Sequence, residues 1–198
     1  MKIQLIDRNK EMCEQWKIQF NDCDDVIIYN GDFFSLQTDC VVSPANSFGF
    51  MDGALDLVIS KKLGWQVQNK LQKQLQEKYF GELLVGQAEL IETDFNEIPF
   101  CISAPTMRVP LILKDTVNVY LASKAIFVLL KKESRIKTVT ISGLGTGVGQ
   151  VPYDVCAKQM KQAYNDIWLN KYTFPNTWYE AQKQHQLLYS KSFRDLQC

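Results

Sequence analysis

Val139-Thr140-Ile141-Ser142-Gly143-Leu144-Gly145-Thr146-Gly147-Val148-Gly149-Gln150 sets a β-branched apolar run directly against a glycine-rich loop, with Pro152 just beyond it. The apolar run predicts a strand, Ile136–Ser142, buried on both faces. Pro152 suits the first position of a helix, because its φ is already helical and its missing N–H has no partner there. Cys156, Met160, Ala163 and Ile167 then recur at i, i+4, i+7 and i+11, one apolar stripe of a helix over 152–169. A strand, a glycine loop and a helix in that order form the repeating unit of an α/β sheet, whose ligands bind at the carboxyl ends of strands. Four of the ten glycines fall within residues 143–149. Glycine at that density lets the backbone approach a ligand and turn N–H groups toward it, and Gly147, in the middle, is expected to take a positive φ.

The same unit recurs upstream. Cys40-Val41-Val42-Ser43 reads as a second doubly buried strand, the loop Pro44-Ala45-Asn46-Ser47-Phe48-Gly49-Phe50-Met51-Asp52-Gly53 follows, and helices over 53–63 and 65–80 come next, broken near Gly64. Strands are also predicted at 2–6, 26–29, 87–92 and 99–104, and helices at 11–20 and 116–132. The strand at 26–29 is read as buried on both faces. Residues 172–198 carry Tyr172, Phe174, Trp178 and Tyr179, and predict a helical, aromatic extension packed on the core. No repeat or linker interrupts the chain, so residues 1–198 are expected to form a single domain.

Composition narrows the chemistry. Twenty-two Lys and Arg balance twenty-two Asp and Glu, so no global field draws in nucleic acid or an acidic membrane. The single histidine, His185, excludes a multi-histidine metal site, and no CxxC pair forms among cysteines 13, 23, 40, 101, 156 and 198. Cys40, Cys101 and Cys156 sit in apolar patterns and read as small buried hydrophobes. Early charges at Asp7, Arg8, Lys10 and Glu11 leave no room for a signal peptide's apolar region, so a cytoplasmic or nuclear setting is expected.

The glycine loop fails both phosphate motifs it most invites. Gln150 stands where GxxxxGK[ST] needs lysine, and no register satisfies GxGxxG. A nucleotide kinase and a dinucleotide dehydrogenase therefore lose ground. Neither ligand loop contains lysine or arginine, so backbone amides would have to hold any phosphate. Asn30-Gly31-Asp32-Phe33 is a third element, placed directly after a strand, where Gly-Asp most often marks a turn.

Gly31-Asp32-Phe33, Val41-Val42-Ser43-Pro44-Ala45-Asn46, Met51-Asp52-Gly53-Ala54-Leu55 and Gly145-Thr146-Gly147-Val148, in that order over residues 1 to 170, resemble the motifs of the macrodomain family. The resemblance implies a three-layer α/β/α sandwich around a central mixed sheet, with ADP-ribose as ligand. It places Asp32 at the adenine amino group with the Phe33 amide nearby, and Asn46 at the distal ribose. Loop 49–53, with Gly49 and Gly53, and the loop of Gly145, Thr146, Gly147, Val148 and Gly149 would wrap the pyrophosphate. Asp52 corresponds to the aspartate of MacroD-type hydrolases that handles water near the anomeric carbon, which makes Asp52 and Asn46 the candidate catalytic residues. Asp52 also fits a purely structural role as N-cap of helix 53–63. Ser43 and Pro44 replace Asn and Ala of the family motif, the first loop is shorter, and Gly149 stands in place of the usual aromatic. Lys61 and Lys62 are the nearest counterparts of the lysine some relatives use.

The resemblance therefore implies an ADP-ribosyl hydrolase acting on modified macromolecules or on O-acyl-ADP-ribose. The alternatives are a non-catalytic reader of ADP-ribose or a related nucleotide and an ADP-ribose-1″-phosphate phosphatase. No cofactor, metal, membrane or non-specific nucleic-acid partner is implied, and a monomer is expected.

Overall fold

In the computed structural model, which describes residues 1–197, six strands form one sheet in the order β2-β1-β6-β3-β5-β4. The strands are β1 (Lys2–Asp7), β2 (Val26–Asn30), β3 (Cys40–Ser43), β4 (Glu89–Glu92), β5 (Phe100–Ser103) and β6 (Thr138–Ile141). All neighbours are parallel except β4 and β5, so the sheet is mixed, as expected. Gly31, Pro44 and Ser142 therefore all begin loops at one edge of the sheet, its carboxyl end, beside the residues that follow β1.

The helices are α1 (Lys10–Gln19), α2 (Ala54–Leu63), α3 (Gln66–Lys78), α4 (Asn118–Lys132), α5 (Tyr153–Ala163) and α6 (Trp178–Gln186). They cover the sheet on both sides. Cys40 and Val42 of β3 face one apolar layer with Met12, Trp16, Ile126 and Met160, while Val41 faces the other with Ile59, Val67, Leu71 and Leu75. Successive strand residues point to opposite faces, so the unbroken apolar run at 40–42 needed helices on both. This is the three-layer sandwich. No described helix is long and apolar enough to cross a membrane.

Three expectations need correction. Strand β2 is not buried on both faces: it is the edge of the sheet, with Ile27 and Tyr29 exposed. Helix 152–169 begins at Tyr153, with Pro152 as its N-cap residue, and widens into a π-helical turn at Tyr164–Trp168. There the Tyr164 hydroxyl and the Trp168 indole N–H both donate to Asp25, at 2.5 and 2.6 Å, which fixes the wider turn. The tail forms α6, but no residue of that helix is buried, and Tyr172, Phe174, Trp178 and Tyr179 are exposed. Only Leu188 of the described tail is buried. Polar residues fill every face of α6, so it has no apolar stripe to lay on the core; Thr177 caps it instead, accepting from the Glu180 N–H. Cys198 lies outside the described residues.

Candidate functional site

The carboxyl-end loops enclose a cleft of about 520 Å³. Asp32 and Phe33 line it after β2, Asn46, Asp52 and Gly53 after β3, and Gly145, Thr146, Gly147, Val148 and Gly149 after β6. The structure thus brings together all the expected site residues but one. Gly49 does not line the cleft; it is buried in a turn against Leu71 and Leu75 of α3. Lys61 and Lys62 also lie elsewhere, in the last turn of α2, where Lys62 reaches Glu97 at 4.0 Å.

Loop 46–53 is pinned from inside. The Asn46 side-chain oxygen accepts from the N–H groups of Phe48 and Phe50, and its amide nitrogen donates to the Phe50 carbonyl at 2.8 Å. Asn46 thus shapes the loop first, leaving a single amide hydrogen for a ligand. Met51 is completely buried; its N–H is held by Gln68 at 2.7 Å and its carbonyl by the Ser60 hydroxyl at 2.8 Å. This anchor sets Asp52, the next residue, at the cleft surface. Asp52 is not the cap of α2: that position belongs to Gly53, and no side chain caps the helix. Its carboxylate is exposed and makes no hydrogen bond or ion pair among the described residues.

Two sets of backbone amides are bare. With no side-chain cap, the N–H groups of Ala54, Leu55 and Asp56 lack partners in the described chain, and they stand where a helix N-terminus carries partial positive charge. Ala54 has a positive φ of 46°, a strained value for alanine that sits within the cleft lining. On the opposite loop, the N–H groups of Gly145, Thr146, Gly147 and Val148 are likewise unpaired among the described residues. That loop is held by Thr146 donating to the Gly143 carbonyl at 2.9 Å and by Val151 N–H donating to the Gly145 carbonyl at 3.1 Å. The positive φ of the loop falls at Gly145 (69°), not at Gly147 as expected. At Gly149 an added Cβ would lie 2.5 Å from the Gly145 carbonyl oxygen, so the turn admits no aromatic there. A Cβ at Gly147 meets nothing within 4 Å, because it points into open space.

At the β2 end, Asp32 accepts from the Phe34 N–H at 3.0 Å and pairs with Arg8. The Phe34 bond, then Arg8, hold its carboxyl below the ordinary aspartate range. Asp7, Arg8 and Asp56 also line the cleft, and sequence reasoning missed all three. The signal for Asp7 and Arg8 was their position at the carboxyl end of an interior strand, Asp7 as its last residue and Arg8 just beyond it. Asp7 holds the Gly143 N–H at 3.2 Å and Arg8 brings the cation that the two ligand loops lack.

Asp56, in the first turn of α2, accepts from the Ser43 hydroxyl at 2.6 Å. Burial pushes its carboxyl up to about 6, Ser43 pulling it back and the charge of Asp52 adding to the rise. A carboxyl raised on folding contributes stability that is complete below the unfolded value near 4 and is lost as pH rises through about 6. Asp56→Asn removes that loss. Urea unfolding should find the variant equal to wild type at pH 4 and more stable by about 2 kcal/mol at pH 8. Equal stability at both pH values would mean that Asp56 ionises freely in the folded protein.

The Macro domain family model matches residues 42–160. An uncharacterized protein of Aquifex aeolicus is 35% identical over 136 residues, covering 69% of this chain and 78% of that protein. Among solved structures, the macrodomain of Mycobacterium tuberculosis DarG superposes with a TM-score of 0.57 at 16% identity, over 69% of this chain and 87% of that one. Thermosipho africanus DarTG in complex with ADP-ribose superposes with a TM-score of 0.55 at 18% identity, over 87% of this chain and 51% of that one.

Proposed function

This chain belongs to the macrodomain family, and from that premise we propose that its cleft binds ADP-ribose and hydrolyses the bond joining the distal ribose to a modified group. Adenine lies at Asp32, the pyrophosphate between the amides of 54–56 and those of 145–148, and the distal ribose toward Asn46 and Asp52. Bare amides converging from two sides suit a diphosphate, because they supply hydrogen bonds and dipole charge without any conformational search. Cation-free loops call for anion binding by backbone amides, and Arg8 adds one cation at the adenine end.

The observation that carries hydrolysis is the freedom of Asp52. A carboxylate whose backbone is positioned by the Met51 anchor, at the cleft surface and without structural employment, can take a proton from water attacking the anomeric carbon. Calorimetry with ADP-ribose, paired with release of ADP-ribose from an automodified protein, tests the two halves separately. No heat and no thermal shift at millimolar ADP-ribose would remove the ligand class altogether.

Asp32 should act on binding alone. Its contact with adenine is the same in ground and transition states, and a hydrogen bond to a charged group contributes about 1.5–3 kcal/mol. Asp32→Ala should therefore raise Kd and KM roughly ten- to a hundredfold and leave kcat within a few-fold. A fall in kcat at unchanged KM would place Asp32 near the reacting atoms instead.

A further inference from the structure

Asp56 stands four residues beyond Asp52 and lines the same cleft. Ser43, at the carboxyl end of β3, aims it by donating to Oδ1, and Oδ2 takes no hydrogen bond among the described residues. Two carboxyl groups in different settings, one exposed and one sunk between α2 and the sheet, are the usual furniture of a base and an acid. Resting on the hydrolase reading above, the geometry points to Asp56 as the proton donor to the departing group, so that the cleft acts on ADP-ribose joined through the hydroxyl oxygen of a serine-type side chain.

The bond changes balance with water as the only co-reactant. The bond from the anomeric carbon to the side-chain oxygen breaks, its electron pair stays on that oxygen, and the oxygen takes the proton of Asp56. Water forms the new bond to the anomeric carbon and gives its proton to Asp52. Free hydroxyl and ADP-ribose leave, and proton exchange with solvent resets both carboxyls. A carboxylate ester needs no such donor, since its leaving group is already a weak base with a pKa of about 4. An alkoxide does need one. The glycosidic nitrogen of a modified guanidinium has no lone pair free to accept the proton, which leaves the oxygen linkage as the substrate that uses Asp56.

The surroundings keep the proton available. Burial raises Asp56 to about 6, and Ser43 and Asp52 are the groups that adjust it. From β5 the Cys101 thiol faces it, kept protonated by burial and by Asp56 itself. Across the cleft stand Asp7 and the paired Arg8 and Asp32.

The test uses one peptide carrying ADP-ribose either on serine or on glutamate, with the wild-type chain, Asp56→Asn and Ser43→Ala, and ADP-ribose calorimetry alongside. Asp56→Asn keeps the shape and the Ser43 bond, and circular dichroism checks its fold. It should lose about 10²-fold or more on the serine linkage and stay within a few-fold on glutamate and on ADP-ribose affinity. Wild-type kcat on serine should fall above about pH 6, a limb absent in Asp56→Asn and moved to higher pH in Ser43→Ala, which lacks the bond that holds the carboxyl down. Equal losses on both linkages, or the limb surviving in Asp56→Asn, overturns the assignment. So does a wild type that binds ADP-ribose and cleaves only the glutamate linkage. A wild type that binds no ADP-ribose overturns the proposed function along with it.

Discussion

Asp52→Ala loses hydrolysis of an ADP-ribosylated protein by about 10²-fold or more while ADP-ribose affinity stays within a few-fold. The separation follows from where the side chain acts. Its help in deprotonating water is realised only at the transition state, whereas the amides of 54–56 and 145–148 hold the ligand in every state. The fold offers no competing explanation for a loss, because Asp52 neither caps α2 nor pairs with a cation, and surface substitutions of that kind stay within about 0.5 kcal/mol. Removing the charge also lowers the carboxyl of Asp56, which Asp52 helps to raise, so residual activity should shift toward acid pH. Release of ADP-ribose followed by mass spectrometry across pH 5 to 8 checks both statements. Wild-type rates in Asp52→Ala would remove Asp52 from the chemistry, and a wild type that binds ADP-ribose yet hydrolyses nothing would leave a binding module.

Gly147→Glu abolishes ADP-ribose binding, by at least 10²-fold, with the fold intact. The new Cβ enters open space and the residue has no left-handed φ to resist, so the backbone accepts a side chain here. What the cleft does not accept is the charge. A carboxylate set among the loop amides faces the diphosphate, and like charges brought together at an interface cost several kcal/mol. Gly147→Ala separates the two effects and should bind within a few-fold of wild type. Gly149→Ala is the opposite control, since its Cβ must displace the Gly145 carbonyl; it should perturb the loop and lower the melting temperature. Unchanged affinity in Gly147→Glu would move the phosphates away from loop 143–149.

The central strands were legible because burial selects apolar, β-branched runs: Cys40–Val42 is unbroken and covered on both faces, and Val139 and Ile141 share one apolar layer on either side of a buried Thr140. The same rule misread β2. Val26-Ile27-Ile28-Tyr29 has the composition of an interior strand, but edge position is decided by which strands pair, and pairing leaves no local trace. The aromatic tail failed for a related reason. Large rings predict burial on average, yet α6 sets Trp178 and Tyr179 side by side at its start and continues in glutamines, a lysine and a glutamate with no single apolar face. At the site, loops defined by glycine and asparagine were readable from their residue types. Asp56 was hidden because it lies inside a helix, where an aspartate reads as solvated surface; only the depth of the cleft and the Ser43 hydroxyl set it apart. Arg8 was hidden by distance, 24 residues before the aspartate it joins.

The two facing rows of unpaired amides bear on how such a protein changes over generations. A side-chain contact disappears with a single codon, whereas a peptide N–H survives every substitution except proline. A pocket built this way can drift widely in sequence while its inner lining stays chemically the same. Only a few positions police it: Gly145 by its conformation, Gly149 by the carbonyl it crowds, and Met51 by the anchor it drives into the core. The neighbouring Gly147 is unpoliced by folding, so a side chain placed there is judged by the occupant of the cleft rather than by the stability of the chain.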